Sequence, residues 1–340
     1  MKRLKLWVLS LTTITFSQLL YSQTILSPPQ PISLTGAETP AFGTEALHKV
    51  RFTVLADGTT DDVEVVGGFT TPFAKQFVSQ SVSEWTFTPG TENGEPVDFY
   101  NQEFVIRAQL PEDFTISSNT EEKLKEATKL TEEGKFDRAT RMLNRSISNN
   151  GLVTTFDYAL THEMLSSIYM AMDDPFRALE TSKIATMSRT SSTGETEFIL
   201  PPEVLETALR KRFLLAASVS QNSEALHAFE TLNANFEIPA DDPIIAQAEE
   251  IKVQIDSPDP LGMLAKITDK VWSYEPVRSV FTVTNVDGRL RKINVRCERK
   301  NLELDYEEGV DWTLPESFGK CILDFEGRND TQFTVYEFSE

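Results

Sequence analysis

The chain has 340 residues, 32 Lys and Arg against 52 Asp and Glu, and a formal net charge of −20. That surplus excludes a nucleic-acid-binding protein, which needs spare cations to neutralise phosphates, and argues against docking on an anionic membrane face. An apolar fraction of 40% with 22 Phe excludes a disordered chain, and three His and two Cys leave little material for a metal or redox centre.

Lys2, Arg3 and Lys5 precede an apolar run from Leu6 to Leu20, followed by Tyr21, Ser22 and Gln23. Basic start, apolar run and small-residue exit are the parts of a secretory signal, with cleavage expected after Ser22. The run is about 15 residues, short of the roughly 20 that a spanning helix needs. The alternative is an inner-membrane anchor through residues 6–20. Cleavage removes three positive charges and leaves a mature chain of −23, expected in the periplasm.

The mature chain divides by hydrophobic period into strands with one short helix over 24–111, helices over 118–255, and strands again over 262–340. The nets of these stretches and their flanks are −7, −11 and −5, so the acidity is spread. Ser257-Pro258-Asp259-Pro260 is the clearest linker, because each Pro holds its predecessor extended, and 111–119 is a softer boundary. The expected fold is multidomain α+β.

In the first domain Val50, Phe52 and Val54 alternate with Arg51 and Thr53, the period of a half-buried strand. Asp57-Gly58 supplies a turn, and Val63 and Val65 lie in a second strand. Phe73, Phe77, Val78 and Val82 suggest one helical face. Trp85 and Phe87 alternate with Thr86 and Thr88 before Pro89. Gly94-Glu95-Pro96 is a further turn, and Phe99 to Ile106 a last strand.

The Val50–Val54 strand, Asp57-Gly58, Val63–Val66, Trp85-Thr86-Phe87-Thr88-Pro89 and Gly94-Glu95-Pro96-Val97 together resemble the TonB C-terminal domain family over residues 30–110 or so. Trp-x-Phe-x-Pro, five residues before Gly-x-Pro-Val, is the most specific part, so the motif residues are Asp57, Gly58, Trp85, Phe87, Pro89, Gly94 and Pro96. The sequence departs from the family upstream, where Glu38-Thr39-Pro40-Ala41 stands in place of a Tyr-Pro-x-x-Ala element. The resemblance implies partners among envelope proteins or outer-membrane receptor segments, gripped by adding an extended segment as a strand. An edge strand offers its free N–H and C=O groups for such pairing. The candidate edge is Asn101, Gln102, Glu103, Phe104, Val105, Ile106 and Arg107. The competing reading is that this strand is paired or covered within the chain.

Ser118-Asn119-Thr120-Glu121 has the pattern of a capping box. Leu124, Ala127 and Leu130 mark one helix, Gly134 ends it, and Phe136, Ala139, Leu143 and Ile147 mark the next. Leu130-x-x-x-Gly134-x-Phe136-x-x-Ala139 resembles the turn between paired helices of a tetratricopeptide repeat. Tyr158, Ala159, Leu165, Ile168 and Tyr169 begin a second pair, whose second helix is capped by Asp174, opened by Pro175 and continued by Ala178, Leu179 and Ala185. Leu205, Leu209, Phe213 and Ala217, then Ala225, Phe229 and Leu232, suggest a third, after an exposed loop over Ser188–Pro202. The expectation is a degenerate helical repeat array, stabilised by stacking. The alternative is a plain helical connector between two β domains.

Val280–Asn285, Leu290–Arg296, Leu302–Tyr306, Lys320–Phe325 and Gln332–Phe338 read as strands of a small β-sandwich, with an Asp287-Gly288 turn and Trp312 and Phe318 in its core. Cys297 and Cys321 are an even pair in an exported chain and are expected to form a disulfide. It closes a loop of about 25 residues, worth roughly 3 kcal/mol in the chain-entropy model.

His48, His162 and His227 are isolated, without a second His or a Cys at ligand spacing, and no nucleophile elbow or phosphate loop occurs. No catalytic residue, metal or cofactor is expected. The expected function is a periplasmic interaction or scaffold protein linked to TonB-type envelope transport. Its alternatives are a membrane-anchored energy transducer and an enzyme of unknown class. The charge balance leads to the expectation that docking partners offer neutral or basic surfaces.

Overall fold

The computed structural model describes residues 25–34, 36, 45–108, 115–148, 151–190 and 196–339. The secretory signal or anchor and the Glu38–Ala41 departure lie outside the described residues, and the 111–119 boundary lies partly outside them. The fold is mixed α+β.

The first elements are β1 (Leu26–Ser27), β2 (Gln30–Ser33), β3 (Ala46–Val54), β4 (Thr60–Phe69), α1 (Pro72–Ser83), β5 (Thr86–Thr88), β6 (Thr91–Glu92), β7 (Glu95–Pro96) and β8 (Phe99–Ala108). An antiparallel sheet runs β4-β3-β8, with β3 and β8 in unbroken register from Ala46↔Ala108 to Phe52↔Gln102. One face of this sheet buries Val50, Phe52, Val54 and Ile106 against Val78 and Val82 of α1 and against Trp85 and Phe87. Each side chain so buried contributes about 1.5–3 kcal/mol. Thr71 caps α1 by accepting from Ala74 N, and Pro72 opens it. The buried face of α1 is Ala74, Val78, Ser81 and Val82, whereas Phe73 is 50% exposed. Phe73 stands five residues before Val78, about 140° away around the helix, so the apolar face expected from the sequence is rotated off it.

The helical part comprises α2 (Ser118–Glu132), α3 (Phe136–Ser148), α4 (Thr155–Ala171), α5 (Pro175–Ala185), the short strands β9 (Ser188–Thr190) and β10 (Thr196–Phe198), α6 (Pro202–Ser218), α7 (Asn222–Asn235) and α8 (Pro243–Asp256). The cap of α2 is Ser117, one residue earlier than the sequence pattern suggested. The complete capping box is at Thr154 and Asp157, which opens α4. Asp174 and Pro175 start α5 as expected, and Gly134 ends the α2 segment at φ 71°. The stretch expected to be an exposed loop is an antiparallel β9–β10 hairpin. Ile199 and Leu200, which follow it, are buried in the helical core, because an apolar pair beside an open core gains more inside than in water.

The last part contains β11 (Leu261–Lys266), β12 (Val271–Tyr274), β13 (Val280–Asp287), β14 (Leu290–Cys297), β15 (Asn301–Asp305), β16 (Asp311–Thr313), a 3-10 turn at Glu316–Phe318, β17 (Cys321–Gly327) and β18 (Gln332–Phe338). They form two antiparallel four-stranded sheets, β11-β18-β13-β16 and β12-β17-β14-β15, around one shared core. Trp312 is partly buried and stacks on Phe281 with ring centroids 5.3 Å apart. Cys297 and Cys321 are directly opposed on β14 and β17 and form the disulfide.

The three parts share joints. Leu47 of β3 is fully buried within the helical core, with Phe69 and Val105 packed against it, and Phe69 stacks on Tyr158 at 5.7 Å. Thr155 accepts from Arg107 Nε at 3.0 Å and donates to Glu45 at 2.9 Å. Ser257–Pro260 is pinned by Arg278, which donates to the carbonyls of Ser257 (2.5 Å), Ile255 (3.0 Å), Gln254 (3.1 Å) and Asp259 (2.7 Å). Lys266 binds Asp174 at 3.1 Å, and Arg177 binds Asp330 at 2.6 Å.

Candidate functional site

β8 is an edge strand, as its place in the order β4-β3-β8 requires. Both ends of the expected edge are engaged within the chain. At the start, Tyr100 N donates to Glu298 O at 2.8 Å. Asn101, at φ 55°, donates from its side chain to Cys297 O at 2.9 Å and Asn301 Oδ1 at 2.6 Å. At the other end the Arg107 carbonyl accepts from Arg189 of β9 at 3.3 Å. Between them, no strand pairs with the outer side of Gln102–Ile106 among the described residues.

The side chains alternate as β geometry dictates. Phe104 and Ile106 join the apolar core, with Phe104 and Phe52 centroids 5.6 Å apart. Val105 packs on the helical core. Glu103 is the centre of a charge cluster that receives Lys49 at 2.7 Å, Arg51 at 3.2 Å and Arg296 at 3.4 Å. Burial pushes its carboxyl up, but Lys49, Arg296 and Arg51 together outweigh that and hold it below the usual range. Arg296 also binds Asp324 at 2.5 Å, which carries the cluster into the C-terminal sheets. A cleft of about 240 Å³ lies here, lined by residues 100–103 on one side and Arg296, Cys297 and Cys321 on the other.

The motif residues form the scaffold behind this edge. Gly58 has φ 84°, and a Cβ on it would stand 2.2 Å from Phe87 O. That close approach lets Phe87 N donate to Gly58 O at 2.8 Å, while Asp57 Oδ1 caps the turn by accepting from Thr59 N at 2.9 Å. Trp85 packs edge-on to Phe52 at 5.9 Å, and Phe87 lies 5.6 Å from Phe52. Gly94 follows Asn93 in the turn between β6 and β7, both at positive φ, and Pro96 opposes Thr91. These residues build a core and its turns, and β8 inherits its position from them.

The histidines do not converge. His48 and His162 are both buried, and desolvation lowers each to a pKa of about 4. His227 is lowered too, first by burial and then by Arg212. Among the described residues no group of His, Cys, Asp and Glu is placed to hold a metal ion, and no helix is long and apolar enough to cross a membrane. Sequence reasoning missed the ties that cap β8, namely Glu298, Arg189 and the Arg296–Glu103 pair. They join residues some 80 to 200 positions apart and leave no local signal.

One comparison bears on this edge. Residues 41–106 match the family model of the Gram-negative bacterial TonB protein C-terminal. The match covers about a fifth of the chain and takes in β3, β4, α1 and β8 up to Ile106. The resemblance carried by Trp85-x-Phe87-x-Pro89 and Gly94-x-Pro96 is therefore shown for this segment. No curated protein matches the chain.

Proposed function

We propose that this is an exported envelope protein that acts as a docking module, its TonB-type segment receiving an extended partner strand along β8. The observation that carries this reading is the open outer side of Gln102–Ile106 in the segment that matches the TonB family. The Arg107 carbonyl points away from β3, toward Arg189. Backbone alternation then directs the N–H and C=O of Glu103 and Val105 to the same side. A five-residue window of this kind is about 17 Å long, enough for a short extended segment.

The opposite edge, β4, is a poorer template. Its ladder to β3 shifts register at Lys49/Val50 and again at Arg51/Thr53. Asp61, Asp62 and Glu64 line it, and Asp62 and Gly68 have positive φ. Bulges and charges of this sort blunt an edge against pairing. In this reading the helices are a tetratricopeptide-like array and the last sheets a β-sandwich, both holding β8 in place, and no catalytic step is involved.

The test is photo-crosslinking from Gln102 of the full chain in its own envelope, with Asp61 on β4 as the control position. The reading expects a specific adduct to an envelope protein or outer-membrane receptor segment from Gln102, lost in a Val105→Pro variant that keeps its far-ultraviolet circular dichroism. Equal labelling from both edges, or none from Gln102, would overturn it.

A further inference from the structure

We propose that the α2–α3 hairpin carries a second docking groove, cut for an extended acidic segment of a partner protein. Arg138, Arg141 and Arg145 recur at i, i+3 and i+7, so they share one side of α3. All three are exposed. Lys123 of α2 faces them across a cleft of about 560 Å³ floored by Met142 and Gly151. Its ammonium lies 3.3 Å from where a Cβ on Gly151 would stand. A second cleft of about 280 Å³ shares Arg138 and Arg141 and runs on past Phe136 to Met172.

None of these four cations has an ion-pair partner among the described residues. Of the acids nearby, Glu121 binds Lys125 at 2.6 Å and Glu133 binds Lys135 at 2.7 Å, and Asp137, which lines the second cleft, forms no ion pair with any of the four among the described residues. Several arginines elsewhere are paired, as Arg177, Arg210 and Arg296 are. Like charges one helical turn apart, such as Arg141 and Arg145, destabilise a helix by a few tenths of a kcal/mol. The stripe gains no ion pair within the chain among the described residues, and its four charges stand in the most acidic stretch of a −20 chain.

The geometry selects the ligand. Guanidinium groups bind carboxylates through paired hydrogen bonds. Arg138 to Arg145 spans about 10.5 Å along α3, the length of three or four residues of extended chain. Carboxylates at alternate positions of such a segment would meet successive arginines, with apolar neighbours over Met142. A flat anionic bilayer fits less well, because it would also meet Glu126, one turn from Lys123 on α2, and a chain of net charge −20. The groove thus reverses, for this one face, the expectation of neutral or basic partners.

The test is fluorescence anisotropy of the full chain with fluorescein-labelled hexaglutamate at low salt and at about 0.15 M, where screening shortens to about 8 Å. Saturable binding that weakens with salt is expected, at least tenfold weaker in Arg138→Ala/Arg141→Ala and unchanged in Arg289→Ala, which is exposed elsewhere. No binding by the unaltered chain, or equal binding by the double variant, would overturn the proposal. So would binding to phosphatidylglycerol vesicles but not to the peptide. Self-association abolished by the same double substitution, without peptide binding, would assign the groove to a second copy of this chain and overturn it as well.

Discussion

Asn101 donates a hydrogen bond from its side chain to the main-chain carbonyl of Cys297 at 2.9 Å, across the joint between β8 and β14. Asn101 also occupies φ 55°, a conformation that Asn tolerates better than residues with apolar side chains. Asn101→Ala is expected to lose both the bonds and the backbone fit, about 2–3 kcal/mol in all. Asn101→Gly keeps the fit and is expected to lose about 1 kcal/mol less. Urea unfolding of the two variants measures the difference, and equal losses would mean that the backbone conformation contributes nothing.

The two motif glycines at turns separate close approach from conformation. Gly58 and Gly94 both have φ near 85°, but a Cβ at Gly58 meets Phe87 O at 2.2 Å, whereas at Gly94 it meets nothing within 4 Å. Gly94→Ala is expected to cost about 1–2 kcal/mol, the left-handed penalty alone. Gly58→Ala is expected to cost at least about 2 kcal/mol more, because backbone atoms must shift. Thermal unfolding of both variants checks the order, and a larger loss at Gly94 would contradict it.

Arg278 holds the carbonyls of Gln254, Ile255, Ser257 and Asp259, into and across the Ser257–Pro260 connection. Arg278→Met keeps the apolar stem and removes every donor, at an expected cost of about 3 kcal/mol. The connection should then open to proteases while the flanking elements stay protected. Mass mapping of early cleavage sites reads this, and an unchanged cleavage pattern would show that the linker is held by other means.

Glu337 gives the chain a pH dependence of defined sign. It is buried, accepts from Val277 N at 2.9 Å and Arg278 N at 2.7 Å, and meets the Tyr274 hydroxyl. Burial pushes its carboxyl up to about 7, against the opposing pull of the two N–H groups. The folded state therefore binds a proton more tightly than the unfolded state. The resulting stability is complete below the ordinary Glu range near 4.5 and is lost as pH rises toward 7. The swing is at most about 3 kcal/mol. Glu337→Gln should flatten that part of the profile relative to the unaltered chain. Parallel stability curves from pH 4.5 to 7.5 or so would rule the effect out.

Much of the fold was legible because its signals are local. Val50-x-Phe52-x-Val54 alternates, Asp174-Pro175 starts a helix, and Cys297 and Cys321 are the only cysteines. What the sequence concealed depends on distant partners. Leu261–Lys266 and Val271–Tyr274 become strands because β18 and β17 lie ready to pair with them. The β9–β10 hairpin forms beside β8, where Arg189 finds the Arg107 carbonyl. The arginine stripe on α3 is a different case. Its i, i+3, i+7 spacing is plain in the sequence, but the cleft that it faces, with Lys123 on the other side, exists only once α2 and α3 pack together.

Leu47 completes a core that belongs to the helices, although it sits on a strand of the TonB-type sheet. A fragment cut after residue 111 would leave Leu47, Phe69 and Val105 facing water together. Such a piece would be sticky even if its own sheet and helix formed, and its captures in a mixture would report that wound rather than β8. The segment that carries the family match thus has a core of its own and also lends one face to the core of the helices.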